Sequence, residues 1–233
     1  MSFLTPFPLD PGGYEPEDLA RSAVFFPLVG LGIGWVLFLT HSLVFWRTRD
    51  SLLSAFVSLF LWVLLTRGFH LDGVADVCDA LWAPGEKRQA ILKDPRVGTF
   101  GVLGMFFVLS AKGLVLARLS GNAFPLIFAP LFGRTVALLL GAFFFPPPRE
   151  VKGLAEEFVG KVPWYVFSLW ALGIGISSFW TLGWSAVLKT LASFGIMFTL
   201  GKGMAQAFGG INGDMVGAGI EWGEVVWLFF WRL

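Results

Sequence analysis

The stretch RGFHLDGVADVCD, residues 67–79, carries three aspartates within eight positions, directly after an apolar run. Asp72, Asp76 and Asp79 are separated by four and then three residues, so a helix would place their carboxylates on one face. Adjacent like charges disfavour ionisation, and a divalent cation of the magnesium or manganese type would relieve that repulsion. A carboxylate at membrane depth costs about 2.5–3.5 kcal/mol on insertion scales and usually has a function there. The alternative interpretation is a solvated helix face just outside the membrane.

The composition indicates a membrane protein. The 233 residues are 56% hydrophobic and only 14% charged, whereas soluble domains carry roughly 25% charged residues. The apolar residues form blocks close to the length of about 20 residues that crosses a bilayer. We therefore predict an all-α, polytopic transmembrane helical bundle of about seven spans, forming a single integral membrane domain over residues 1–233. The predicted apolar segments are 22–46, 51–66, 100–119, 122–145, 163–183, 185–208 and 213–231. The second segment is short and runs straight into the aspartate motif, so its helix is expected to continue past the membrane surface and carry the three aspartates.

Charge and cysteine content narrow the function classes further. A net charge of +1 gives no reason to expect a nucleic-acid partner, and the single cysteine, Cys78, excludes an internal disulfide and a cysteine-based metal site. The N-terminus is acidic, so no cleavable signal peptide is predicted. Lys and Arg in the short loops number ten on the side of the aspartate motif and four on the other. This asymmetry predicts that the motif faces the cytoplasm.

A basic segment follows the aspartates. Lys93 and Arg96 flank Asp94 just before the third apolar segment. Cations beside a carboxylate cluster suit a diphosphate substrate, because a metal ion bridges some phosphate oxygens while the cations neutralise the others. The alternative, which applies most to Lys87 and Arg88, is a juxtamembrane loop that meets anionic lipid.

A second polar group lies near the C-terminus, after the glycine-rich break at 209–214. Asp214 and Glu221 are seven residues apart and Glu224 continues the same helix face, so they could form a second carboxylate set facing the first. Asn212 adds a hydrogen-bonding group. Irregular backbone at membrane depth is tolerated where it lines a cavity or packs on protein. The alternative for the two glutamates is an interfacial helix edge.

Three further polar residues lie within or beside apolar segments. Arg134 and Lys112 fall inside predicted spans, where a charge usually faces the bundle interior and pairs or binds something; the alternative is snorkelling to the surface. His70 is two residues before Asp72, so on a regular helix the two side chains would not face each other. It could contact phosphate, carry a proton, or lie on the helix surface at the interface.

The sequence resembles the adenosylcobinamide-GDP ribazoletransferase family, also called cobalamin synthase, over nearly its whole length. The resemblance rests on six stretches: LARSAVFFPLVGLGIG (19–34), GFHLDGVADVCDALW (68–82), ILKDPRVGTFGVL (91–103), FGRTVALLL (132–140), EVKGLAEEF (150–158) and FGGINGDMVGAGIEWGEVV (208–226). The combination of HLDG-x-AD-x-x-D with K-D-x-R-x-G-T is specific to this family. This sequence departs from the family's usual pattern at Arg67, Ala80, Pro95 and Asn212, and none of these departures removes a carboxylate.

The resemblance implies a reaction and an assignment of roles. Adenosylcobinamide-GDP and α-ribazole (or its 5′-phosphate) would give adenosylcobalamin (or its 5′-phosphate) and GMP with Mg²⁺, a late step of cobalamin biosynthesis in the inner membrane. The catalytic segments would be 67–101 and 208–224. Asp72, Asp76 and Asp79 would bind the metal, and these three with Asp214 would be catalytic. Substrate would be bound by His70, Lys93, Asp94, Arg96, Arg134, Asn212 and Glu221.

Two other classes remain open at this stage. Clustered aspartates on helices are also similar to those of the CDP-alcohol phosphotransferases, so a lipid substrate is one alternative. A cation-coupled transporter is the other, because buried carboxylates and a broken helix can bind a cation, although the sequence has no inverted repeat. A homo-oligomer is compatible with the sequence.

Overall fold

The computed structural model describes residues 18–119, 122–147 and 157–232, and its regular elements within these ranges are all helices. The all-α prediction is therefore confirmed. The N-terminal acidic stretch and most of the predicted 146–162 loop, including Arg149 and Lys152, lie outside the described residues. The helices are α1 (Asp18–Ser22), a 3₁₀ turn (Ala23–Phe25), α2 (Phe26–Thr48), α3 (Ser51–Thr66), α4 (Phe69–Leu81), α5 (Gly85–Ile91), α6 (Thr99–Leu116), α7 (Pro125–Phe143), α8 (Trp164–Leu182), α9 (Trp184–Phe208) and α10 (Gly213–Arg232).

Each of the seven predicted apolar segments contains one helix, but the count of seven spans is not confirmed. Among the described residues, four helical stretches are long and apolar enough to cross a membrane: Ala20–Thr48, α6, α7 and α9. A fifth candidate arises only if α3 and α4 are counted together. The apolar part of α8 is shorter, and α10 carries Asp214, Glu221 and Glu224. These four stretches are the candidate membrane-spanning helices.

The helix before the aspartate motif does not continue through it, contrary to the sequence prediction. The chain bends by 88° between α3 and α4. Arg67 and Gly68 both adopt left-handed backbone conformations, with φ of 53° and 65°. Their amides donate to the carbonyls of Leu64 and Val63, which closes the end of α3. The aspartates therefore lie on a separate helix with its own direction.

The centre of the bundle is α7, which packs against α2 on one side and α10 on another. In the most apolar 18 residues of α7, 83% of the residues are buried inside the protein, against at most 39% in the corresponding stretches of the other three spanning helices. Gly30 and Gly34 of α2, four residues apart, bring the two backbones together: a Cβ atom at either position would overlap α7 backbone atoms of Pro130 or Ile127. Such a pair of small residues is a common device for close helix packing in membranes.

The close contact between α2 and α7 leads to a stability prediction. Gly34→Ala should lower the free energy of unfolding by about 1–3 kcal/mol, because the added methyl group meets rigid backbone. Gly32→Ala is the matched control, since its Cβ would enter open space on the same helix. Thermal unfolding in detergent should show a lower midpoint for the Gly34 variant alone. Equal midpoints for the two variants would contradict this packing.

Candidate functional site

The predicted aspartate cluster forms at the contact between α4 and α10. A Cβ atom at Gly73 would lie 2.5 Å from the carbonyl oxygen of Asp214, so the two backbones touch where the aspartates lie. Gly217 faces His70 one turn further along α10. Only glycine permits the close approach at position 73, which explains the glycine beside Asp72, whereas a Cβ atom at Gly217 would make ordinary van der Waals contact with His70. The contact brings Asp214 to the helix that carries the other three aspartates.

The carboxylates of this cluster affect one another electrostatically. Partial burial, followed by the charges of Asp214, Asp72 and Asp79, raises the pKa of Asp76 to about 6. Asp76 lies on α4, outside the four spanning helices, and is half-buried, whereas Asp72 is exposed. Such a group of carboxylates favours a bound cation, because a cation removes the repulsion that raises this pKa.

Asp79 has a role that the sequence did not reveal: it binds the beginning of α6. One carboxylate oxygen accepts a hydrogen bond from the Gly98 amide at 2.6 Å, and the other accepts one from the Gly101 amide at 2.8 Å. Helix N-termini have free amides and a partial positive charge, so a carboxylate is favourable there. Any larger side chain at Gly98 or Gly101 would collide with Asp79. Its predicted role as a metal ligand stays a prediction.

Asn212 orients the second half of the cluster. Its side-chain oxygen accepts a hydrogen bond from the Met215 amide at 3.0 Å and so caps α10. Its side-chain nitrogen donates to Asp214 at 2.9 Å. The residue is buried. In this structure Asn212 positions Asp214; its predicted contact with substrate remains untested.

The basic segment before α6 is exposed and partly organised. The Arg96 guanidinium forms two hydrogen bonds with Asp94, from Nε at 2.9 Å and Nη2 at 2.7 Å, and a third comes from the Arg96 backbone amide. The side-chain hydrogen bond is the main reason why the pKa of Asp94 falls to about 2. Arg96 is 86% exposed and Lys93 is also exposed. Asp94 therefore orients Arg96 beside the Asp79-bound start of α6.

Arg134 and Glu221, both predicted to bind substrate, lie in a buried cluster of ion pairs. Lys112 donates to Glu221 at 2.6 Å and also to Glu224, while Arg134 donates to Glu224. The side chains of all four residues are at most 3% exposed. The cluster joins α6, α7 and α10, and it excludes both snorkelling and an interfacial helix edge. Contact with substrate would require this cluster to open, so that prediction is untested.

His70 lies at the margin of the ion-pair cluster. It is buried, with Nδ1 4.0 Å from Glu221. Among the described residues, neither of its ring nitrogens has a hydrogen-bond partner, and the same holds for Nε and Nη2 of Arg134. Its burial excludes the surface position that was one alternative in the sequence.

Comparison with known proteins identifies the family of this chain. A family model described as cobalamin-5-phosphate synthase matches residues 1–231. The chain belongs to the cobalamin-5-phosphate synthase family. Similar relatives named adenosylcobinamide-GDP ribazoletransferase come from Ectopseudomonas mendocina (35% identical, 96% of this chain and 93% of the relative), Pseudomonas fluorescens (36%, 95% and 92%) and Citrobacter koseri (36%, 93% and 89%). No solved structure matches this cobalamin-5-phosphate synthase family member.

Resemblance to the adenosylcobinamide-GDP ribazoletransferase family implies magnesium, and the oxygen ligands that the aspartates offer fit that ion. Within the described ranges, no three His, Cys, Asp or Glu side chains are grouped so that they could hold a metal ion by themselves. Mg²⁺, however, is usually held by one or two carboxylates together with substrate phosphates and water. Asp72 and Asp76 suit that arrangement best in this family member, because both oxygens of Asp79 already accept amide hydrogen bonds.

Proposed function

We propose that this protein is an adenosylcobinamide-GDP ribazoletransferase that transfers the cobinamide-phosphate group to α-ribazole or its 5′-phosphate and releases GMP. The observation that supports it most is the contact of Gly73 with Asp214, which brings together aspartates from two distant motifs in a chain of this family. We place the protein in the inner membrane with this site facing the cytoplasm, on the basis of the charge asymmetry of the loops.

The proposed reaction is a phosphoryl-group transfer at a diphosphate. The ribose hydroxyl oxygen of α-ribazole attacks the phosphorus attached to the cobinamide arm and forms a new P–O bond. The P–O bond to the GMP phosphate breaks, and GMP leaves with the bonding electrons. A bound magnesium ion would neutralise charge on the diphosphate oxygens. The hydroxyl proton passes to a carboxylate, for which Asp214 is suited because Asn212 fixes its orientation.

The other residues of the proposed site bind and orient the substrate. Asp72 and Asp76 would hold the metal ion, and Arg96 and Lys93 would neutralise charge that develops on the transferred phosphate. Asp94 keeps the Arg96 guanidinium in one orientation, and its low pKa means that this pair stays intact down to about pH 2–4. The pair therefore adds no pH dependence to turnover between pH 5 and 9.

The test is an assay with purified protein in liposomes containing adenosylcobinamide-GDP, α-ribazole and Mg²⁺, with cobalamin and GMP measured by chromatography. Equal amounts of the two products, abolished by EDTA and restored by Mg²⁺, are the expected result. Parallel reactions with CDP-diacylglycerol and an alcohol acceptor test the lipid phosphotransferase alternative, and radiolabelled cation uptake tests the transporter. Activity in either parallel reaction, without cobalamin formation, would contradict the proposal.

A further inference from the structure

The short helix α5 is fastened to the last turn of α9. Arg88 donates from Nη1 to the carbonyl of Ala207 at 2.9 Å, and Gln89 donates from Nε2 to the carbonyl of Phe208 at 3.1 Å. The last carbonyls of a helix have no partners within it, and a cation is favourable at that end. The Arg88 guanidinium carbon also lies 5.8 Å from the centre of the Phe208 ring. These contacts fix α5 to α9 rather than to lipid.

The same guanidinium also holds the end of α4. Its Nε donates to the carbonyl of Ala83 at 3.2 Å and its Nη2 to the carbonyl of Leu81, the last residue of α4, at 3.4 Å. Arginine can do this because its planar group carries five N–H donors in a fixed arrangement. Arg88 thus connects the helix that carries three of the aspartates to the helix that precedes Asp214.

The segment between α9 and Asp214 has little freedom to absorb a displacement. Gly210 packs so tightly on the backbone of Pro147 that a Cβ atom would overlap it, and the Ile211 amide donates to the carbonyl of Phe145 at 2.9 Å. Asn212 then caps α10 and holds Asp214. The end of α9 and Asp214 are thus joined by only five residues, 209–213, that are held in one conformation.

We infer that Arg88 is a positioning residue that keeps Asp214 in place beside the α4 aspartates by holding the ends of α4 and α9 together. Gln89 supports the same connection. The part of this inference that concerns turnover rests on the proposed function, whereas the connection between the two helices does not. The sequence alone left a contact with anionic lipid open as the alternative for Arg88, and nothing in its local pattern indicates the carbonyls of residues 207 and 208.

The connection is tested first without an activity measurement, by hydrogen exchange and mass spectrometry of the full-length protein. Arg88→Met should increase amide exchange in peptides covering 205–216 by about tenfold or more, because the end of α9 opens more often. Lys87→Met is the matched control, since Lys87 is the exposed neighbour on the same helix. Unchanged exchange at 205–216 in Arg88→Met would overturn the inference.

Measurements of kcat and KM then test whether Arg88 keeps Asp214 in position. Arg88→Met should lower kcat about 10- to 100-fold, because small displacements of catalytic groups have effects of this size, while KM for adenosylcobinamide-GDP changes about twofold or less. Arg88→Lys should recover part of both exchange protection and kcat, since an ammonium group can reach one helix end but not both. Increased exchange with unchanged kcat, or equal losses in Lys87→Met, would overturn the inference. An inactive parent protein would instead refute the proposed function, and the exchange comparison would still decide the connection.

Discussion

Asp76→Asn is expected to reduce cobalamin formation by about a thousandfold or more while the protein remains folded. Asp76 is the half-buried carboxylate whose pKa is raised by burial and by Asp214, Asp72 and Asp79, so it lies at the centre of the cluster. Metal coordination supplies several kcal/mol of transition-state stabilisation, and each 1.4 kcal/mol is tenfold in rate. Turnover at saturating substrate and Mg²⁺ is the measurement. Glu86→Gln, an exposed acid outside the cluster, is the control and should retain full activity.

The same variant should lose activity without losing stability, and its stability relative to the parent should depend on pH. Because the pKa of Asp76 is raised in the folded protein, ionisation destabilises the fold progressively as the pH rises from about 4 to about 6. Asn cannot ionise, so in EDTA the variant should be at least as stable as the parent at pH 7 and should lose this advantage below about pH 4. Near-parental activity, or a variant that is less stable at pH 7, would refute the central role of Asp76.

Lys112→Met is expected to cause the largest loss of stability. The substitution leaves Glu221 and Glu224 buried with Arg134 as the remaining cation of the cluster. Removing one partner of a buried ion pair typically costs about 3–5 kcal/mol, which corresponds to a thermal midpoint roughly 6–20 °C lower for a chain of this size. In the parent protein Lys112 Nζ lies 4.2 Å from the centre of the Trp62 ring. Methionine keeps an apolar side chain over this ring, so the loss of stability measures the effect of removing the charge. The midpoint is measured in detergent.

The double variant Lys112→Met/Glu221→Gln separates charge balance from packing. It removes one positive and one negative charge and leaves the Arg134–Glu224 pair intact. Its thermal midpoint should recover much of the loss, because no buried carboxylate then lacks a cation. A double variant as unstable as Lys112→Met would show that the cluster is held by packing rather than by charge balance.

Much of the helical framework could be predicted from the sequence, because apolar blocks separated by prolines, glycines and charges indicate helices without knowledge of their packing. The 88° bend after α3 could not. Arginine rarely adopts the left-handed conformation found at Arg67, and the continuous hydropathy pattern favoured one long helix. The count of seven spans is not confirmed, partly because α10 combines apolar residues with Asp214 and with two glutamates that the fold buries, Glu221 and Glu224.

For the site, spacing predicted which aspartates share a helix face but not what each one contacts. The amides that bind Asp79 lie about twenty residues further along the chain, at Gly98 and Gly101. Lys112 and Arg134 were identified as charges within spans, yet their partners on α10 depend on how the helices are arranged, which one sequence does not specify. Arg88 was missed for the same reason.

The contact between Gly73 and Asp214 has a consequence for biogenesis. Its two members lie far apart along the chain, so at about 5–20 residues per second a ribosome needs roughly 7–30 seconds to reach Asp214 after Gly73 has been made. Long-range contacts of this kind form late, after the entropy of closing the intervening loop has been overcome. The nascent protein therefore holds its α4 carboxylates without Asp214 until α10 has been made and packs against α4. Catalytic activity would then appear only after α10 has been made, and a chain that stops before residue 213 would be inactive however well its earlier helices had folded.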